Sequence, residues 1–444
     1  MREAVKVALD RLVSDTQADR LVIAFSGGRD STVLLHVAVD FARIHDVAVM
    51  AAHVDHGFAD ASALWAAACR VQAEALGIDC AVLRVAATPP AGESLEAWAR
   101  EQRYALLERL CTERTLLLTA HHEDDQRETV FQRVLAGAGP HGLMGIPVLR
   151  RCGRGHLGRP LLGVSRTEIT DYARRHGLRS IEDPANADER FLRNRLRHRL
   201  LPMLDELVPG GRAGLLRLGR LQAELARGLD TLADALIDQA GLPVWQLADA
   251  TLATAGSDLA PFVLRRALAR SGIPRPGTHQ LQAILGPLRR ARGDGGPVVR
   301  WGNHAVRRYR DCLYFTPATL PVPPPAPRPW HWRETLDLPW GRLRARSGST
   351  LAIDADYLER ADVTVSFRVG GERLRQPGRC NSQALKKLFQ DWGVPPWERD
   401  LIPLIHIDGQ LAAVAGYCVC APFAVPRDGV VFEWQTALYA GGHG

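Results

Sequence analysis

The sequence predicts an α/β protein: a parallel sheet with helices on both faces at the N-terminal end, a helical middle domain, and a small α+β C-terminal domain. Three observations predict it. Short, largely apolar runs recur at residues 21–25, 47–54, 81–85 and 116–120, with helix-like segments between them. Strands alternating with helices build parallel sheets, and a sheet buried on both sides needs strands that are apolar throughout. Residues from about 215 to 288 keep a helical apolar period, and from about 361 short apolar runs alternate with turns.

The elements follow in order. Residues 1–13 (MREAVKVALDRLV) read as an amphipathic helix, without the apolar core of a signal peptide. The run at 21–25 ends in Ser26-Gly27-Gly28-Arg29-Asp30-Ser31, and an apolar helical pattern opens at Val33-Leu34-Leu35. A helix starting near Ser94 carries Leu95, Trp98 and Leu106 on or near its apolar face, with Arg100 and Arg103 one turn apart. Glycine and arginine punctuate residues 137–160, which read as loop; a helix is expected over Arg166–His176. The basic run Arg193–Arg199 follows. Pro317, Pro321, Pro323–Pro325, Pro327 and Pro329 mark an extended, semi-rigid linker. Asp408-Gly409 between two apolar runs is a hairpin signal. The expected domains are residues 1–205, 206–316, a linker with short strands at 317–360, and 361–444.

Composition narrows the function. The chain has 444 residues, room for two to four domains at about 100–200 residues each. Its 46% hydrophobic and 24% charged residues exclude wholesale disorder and a membrane-embedded chain. Net charge is +7, and among 56 basic residues the only lysines are Lys6, Lys386 and Lys387. Guanidinium holds phosphate bidentately and stacks on bases, so the arginine excess suits nucleic acid; biased codon usage explains it equally well. None of the eight cysteines forms a C-x-x-C pair. That spacing argues against zinc, an iron–sulfur cluster and a disulfide framework, and the expected location is the cytoplasm.

The hexapeptide Ser26–Ser31 carries the strongest chemistry. Two glycines let the backbone curl around an anion, and the helix that follows offers its N-terminal N–H groups and dipole. Ser26 and Ser31 add hydroxyls, and Asp30 can hold a magnesium ion against phosphates. The lysine of the G-x-x-x-x-G-K-[ST] loop is missing. Two further strands should deliver polar residues to the same sheet edge, where open parallel sheets bind ligands. The run at 47–54 brings Asp55 and His56. The run at 116–120 brings His121-His122-Glu123-Asp124-Asp125-Gln126-Arg127-Glu128-Thr129. By itself His121-His122 reads equally well as a helix-capping pair.

The hexapeptide resembles the pyrophosphatase loop (PP-loop) of the N-type ATP pyrophosphatases, which split ATP between its α and β phosphates. His121–Thr129 is similar to the H-H-x-x-D-Q-x-E-T motif of one family within them, the tRNA(Ile)-lysidine synthases. Gly137-Ala138-Gly139-Pro140-His141-Gly142-Leu143-Met144-Gly145 resembles that family's G-x-G-x-x-G-L-x-G segment. Glu182-Asp183-Pro184-Ala185-Asn186 with Arg193-Asn194 and Arg197 resembles its D-P-S-N…R-N-x-x-R block. Gly370-Gly371-Glu372-Arg373, Leu385-Lys386-Lys387-Leu388-Phe389-Gln390, Val394-Pro395-Pro396-Trp397 and Asp408-Gly409 resemble its tail.

The resemblance implies a reaction and a set of roles. The wobble cytidine of an isoleucine tRNA with a CAU anticodon would be adenylated by ATP, and free lysine would displace AMP. Ser26, Gly27, Gly28, Arg29, Asp30, Ser31 and His53 would bind ATP, with Mg²⁺ on Asp30. Asp30, Asp125 and Glu128 would be the catalytic groups. Asp125 and Glu128 would take the amino group of lysine and Arg193 its carboxylate. Arg195, Arg197, Arg373, Lys386 and Lys387 would contact tRNA. A tRNA 2-thiolation enzyme and an inactive tRNA-binding protein are the alternatives; oligomeric state stays open, a homodimer among the options. The chain departs from the family pattern at Ala59 and Ala136, where an arginine is usual.

Overall fold

The computed structural model describes residues 1–57, 62–86, 95–181, 192–291, 297–348, 351–426 and 428–439, the side chains of 95–97 and 192–193 excepted. The chain divides into two compact units, Met1–Arg227 and Gly228–Gly444.

The first unit is built on a six-stranded sheet. Its elements run α1 (Arg2–Thr16), β1 (Arg20–Ala24), α2 (Arg29–His45), β2 (Ala48–Asp55), α3 (Ser62–Ala75), β3 (Cys80–Arg84), α4 (Leu95–Glu108), β4 (Thr115–Leu118) and α5 (Glu123–Leu135). Then come α6 (Pro140–Leu143), β5 (Leu149–Cys152), β6 (Gly155–Gly158), α7 (Arg166–Arg175), α8 (Leu192–Arg195), α9 (Leu201–Leu207) and the start of α10 (Gly211–Gln239). Strand order is β3-β2-β1-β4-β6-β5, parallel throughout except for the edge strand β5.

Alternate side chains of β1 fill opposite cores. Leu21 and Ile23 pack with Leu116 and Leu118 against α1, α2, α3 and α7. Val22 packs with Leu117, Leu157 and Leu107 on the α4 side. All of these but Leu107 are fully excluded from solvent, which is why β1 and β4 read as unbroken apolar runs. α7 begins where the sequence predicts: Ser165 accepts from the Glu168 N–H while Glu168 accepts from the Ser165 N–H, a reciprocal cap.

The order reverses between β1 and β4. The chain moves outward through β2 and β3, crosses by α4 on the opposite face, and returns to the other side of β1. The loops leaving β1 and β4 therefore flank a topological switch point, where α/β sheets leave a crevice. Two expectations are corrected here. Residues 149–158, expected as loop, form the β5–β6 hairpin, turned at Gly153 with φ +55°. Its Arg150, Arg151 and glycines hide the apolar signal of a strand. Asp55 closes β2 instead of following it.

The second unit holds an antiparallel sheet of β7 (Gln246–Ala248), β10 (Cys312–Pro317), β9 (His304–Tyr309) and β8 (Val299–Trp301), in that order. It packs on α11 (Asp249–Arg270) and α12 (Thr278–Ala283) through Leu264, Leu268, Ile284 and Phe315. These strands lie in the region expected to be helical. The C-terminal part adds three- and five-stranded sheets around Trp340, Leu343, Val365, Ile405 and Phe432. At its hairpin, Asp408 and Gly409 both take positive φ (48° and 78°), as a type I′ turn requires. All eight cysteines are free thiols. Among the described residues no helix is long and apolar enough to cross a membrane.

Candidate active site

β1 delivers the Ser26–Ser31 loop to the switch point. Gly27 takes φ +80°, and a Cβ there would lie 2.5 Å from Ile181 Cδ1, so both conformation and space demand glycine. Its carbonyl accepts from the Ile181 N–H at 2.9 Å. The loop is wired to itself. Ser26 Oγ and Ser31 Oγ stand 3.1 Å apart, Ser31 Oγ donates to the Gly28 carbonyl, and Thr32 Oγ1 donates to the Gly28 carbonyl at 3.1 Å. Gly28 caps α2 with extended backbone and no side-chain acceptor. The first N–H groups of α2 are thus left to an anion.

Asp30 sits in that first helical turn; its Oδ1 is buried without a hydrogen bond, in an ion pair with Arg29 Nε at 3.8 Å. An orphaned carboxylate oxygen beside a phosphate cradle fits a hard divalent cation. Burial pushes the Asp30 carboxyl up, but the hydrogen bond and charge of His122, with Arg29, outweigh it and hold it below the ordinary carboxylate range.

β4 delivers the second cluster. His122 is the N-cap of α5: its Nδ1 accepts from the Asp124 N–H at 3.2 Å, and its own N–H donates to Asp125 Oδ2 at 2.9 Å. In this arrangement the ring proton belongs on Nε2, which faces Asp30 Oδ2 at 3.5 Å and Asp125 Oδ2 at 3.6 Å. Burial opposes a charge on His122; the bond to Asp30 and the charges of Asp125 and Asp30 prevail, and its pKa lies above the usual imidazole value. The capping role and the site role expected for the His121-His122 pair meet in one side chain.

Asp125 and Glu128 share a face of α5 and are buried, Glu128 at 1% exposure. Arg197 bridges them, its Nη2 2.9 Å from Asp125 Oδ1 and its Nε 2.5 Å from Glu128 Oε1. It comes from a wide, π-type turn at Leu196–Leu200, a distortion that recurs at functional sites. Arg212 plays a similar part at the helix head, reaching Glu123 Oε1 and Asp124 Oδ1 at 2.6 Å each. Among the described residues Arg197 stands against Asp125 and Glu128, while Arg29 and His122 stand against Asp30.

The other expected residues fall as follows. His53 lies under the loop, its Nδ1 donating to the Phe25 carbonyl at 2.9 Å, which leaves Nε2 as an acceptor. The side chain of Arg193 lies outside the described residues, as do residues 182–186 and Ala59. Arg195 is exposed. Ala136 ends α5. In the second unit, Arg373 bonds the Ser382 carbonyl, while Lys386 and Lys387 line the exposed face of the helix Leu385–Asp391.

Sequence reasoning missed Thr32, Gln126 and Arg212. Gln126 accepts from the Ile146 N–H at 2.6 Å and donates to the Met144 and Ile146 carbonyls, tying α5 to the Gly137–Gly145 segment. Gly145 has φ +73°, and a Cβ there would lie 2.5 Å from Gln126 Oε1. Gln126 lies in the His121–Thr129 motif and Gly145 closes the Gly137–Gly145 segment, which was the available signal. Arg212 had none, because its partner Glu123 is 89 residues away and Asp124 is its neighbour.

Comparison with known proteins agrees with this geometry. Residues 1–204 match the PP-loop domain model, 247–314 the TilS substrate binding domain and 363–434 the TilS substrate C-terminal domain. The chain is 36% identical over 428 residues to the tRNA(Ile)-lysidine synthase of Coxiella burnetii, covering 94% of this chain and 92% of that one. It is 38% identical to the synthase of Alkalilimnicola ehrlichii, covering 88% of each. It is 37% identical to that of Methylococcus capsulatus, covering 89% of this chain and 90% of the other.

Proposed function

The chain belongs to the tRNA(Ile)-lysidine synthase family, and from that premise we propose that it ligates free lysine to carbon 2 of the wobble cytidine of an isoleucine tRNA with a CAU anticodon. The reaction consumes ATP and releases pyrophosphate and AMP. Its place of work is the cytoplasm, where ATP, lysine and tRNA meet. The carrying observation is the 3.5 Å approach of His122 to Asp30, which sets the phosphate loop and the buried carboxylates side by side at one switch point.

In the first step, oxygen 2 of the cytidine attacks the α-phosphorus of ATP and pyrophosphate leaves. The loop N–H groups, the α2 dipole and Ser26 and Ser31 stabilise the charge that develops on the leaving group. Arg29 stands beside the phosphate cradle, and Asp30 would hold Mg²⁺, which would supply charge neutralisation of the phosphates. His53 presents an acceptor under the loop.

In the second step, the ε-amine of lysine attacks carbon 2, the bond to oxygen 2 breaks, and AMP departs. Asp125 and Glu128 receive the amino group of lysine and Arg193 its carboxylate. Arg197 sets the two carboxylates in place and halves their charge. Arg195, Arg373, Lys386 and Lys387 take phosphates of the tRNA.

The 2-thiolation alternative needs a reactive sulfur near the loop. Cys69 is next to Gly27, but burial pushes its thiol up to about 12, so it is neither ionised nor nucleophilic. The test separates the two steps. With ATP, magnesium and tRNA but no lysine, the protein should release pyrophosphate; Asp30→Ala should abolish that release, and normal release would overturn the loop's role. Asp125→Ala should keep adenylation and lose lysine transfer. Equal loss of both would move Asp125 to the ATP site.

A further inference from the structure

Away from the loop, a second cationic feature lies on the α4 side of the sheet. Tyr104 projects from α4, and three guanidinium carbons surround its ring: Arg100 at 5.1 Å, Arg150 at 5.2 Å and Arg103 at 5.6 Å from the centroid. A fourth arginine, Arg159, lies near Tyr104 and is 4% exposed. Its Nη1 donates to the Pro147 carbonyl at 2.5 Å, which anchors the cluster to the sheet. Arg100 and Arg150 are exposed.

Among the described residues no carboxylate pairs with Arg100, Arg150 or Arg159. Glu108, on the same helix, is taken by the Gly153 N–H at 2.7 Å. A guanidinium over the face of the ring gains from the ring's quadrupole. Yet gathering the charges of Arg100, Arg150 and Arg159 around one ring is unfavourable unless an anion joins them.

The sheet register separates this cluster from the ATP loop. Val22 is level with Leu117, Leu117 with Leu157, and Leu157 with Arg150. Arg150 thus stands three strand spacings, about 14 Å, from β1 on the opposite flank of the switch point. Phosphates seated at Ser26–Ser31 belong to the β1 end, so a phosphate held at Arg150 belongs to a second molecule.

The geometry points to an RNA-backbone site: Arg100, Arg103 and Arg150, stacked on Tyr104 and braced by Arg159, grip phosphodiesters of the tRNA beside the catalytic crevice. It rests on the reading that tRNA is the substrate. The site adds to the basic run at 193–199 and to the C-terminal basic residues, neither of which includes it.

The test is tRNA binding as a function of salt, with unmodified isoleucine tRNA as the probe. Arg150→Ala and Arg100→Ala lie on different elements and remove exposed side chains. Each should weaken binding about fivefold at 0.1 M salt and lower the slope of log K against log salt by about 0.7–0.9. The Michaelis constant for ATP should stay within about twofold of the parent. Unchanged affinity and slope in both variants overturn the site. A raised Michaelis constant for ATP with normal tRNA affinity overturns it too, since the cluster then serves the nucleotide. If the parent chain itself fails to bind tRNA, the failure belongs to the proposed function instead.

Discussion

Arg197 donates its Nε proton to Glu128 Oε1 across 2.5 Å, although the two residues lie 69 positions apart in the chain. The contact makes the carboxylate pair on α5 a preorganised site, since removing the guanidinium takes a charge partner from both buried carboxylates at once. Arg197→Ala should destabilise the first unit by about 3 kcal/mol, less whatever its partial exposure restores through solvent. Arg197→Lys keeps the charge but cannot span both carboxylates, so it should retain most stability and raise the Michaelis constant for lysine. Thermal unfolding and lysine titration would show it; a Lys variant with parental lysine kinetics would contradict the bridging role.

Gly27→Ala adds a methyl group at positive φ and against Ile181. The expected outcome is loss of pyrophosphate release and a stability loss of about 1–3 kcal/mol. Adding Ile181→Ala opens the space without changing φ, so the double variant should recover part of the stability. No recovery would show that backbone conformation alone sets the cost.

Gln126→Leu removes the three hydrogen bonds that hold residues 144–146 to α5. Hydrogen exchange should quicken at Ile146, whose N–H loses its acceptor, while β1 and β4 stay protected. Parental exchange at Ile146 would mean the segment is held from elsewhere.

Glu398 in the second unit accepts the Tyr439 hydroxyl, and burial pushes its carboxyl above the ordinary range despite that bond. The folded state therefore binds the Glu398 proton more tightly than the unfolded chain. Its contribution to stability is present below the unfolded value, about 4.3, and is lost as pH rises through the folded value. Glu398→Gln keeps the acceptor and removes the titration. It should melt higher than the parent at neutral and alkaline pH, and the gap should close near pH 4. A gap that is independent of pH would refute the assignment.

Local chemistry was legible in the sequence. β1, the glycine loop, α2, the helix α7 and the Asp408-Gly409 turn each depend on residues within a few positions. The two carboxylates could be placed on one face of α5 from their spacing alone. What could not be read was pairing across distance. Arg197 looked like one more member of a basic run, and only the fold shows its guanidinium turned onto Asp125 and Glu128. The β5–β6 hairpin escaped because Arg150 and Arg151 replace the apolar residues of an edge strand. His122 joining Asp30 to Asp125 required both strand ends in register at the switch point.

Incorporation of labelled lysine tests the central claim most directly. Incubated with ATP, magnesium and an isoleucine tRNA bearing a CAU anticodon, the protein should place one lysine in each tRNA. Each transfer should release one AMP and one pyrophosphate. A folded protein that adenylates the tRNA yet never transfers the label would contradict the account.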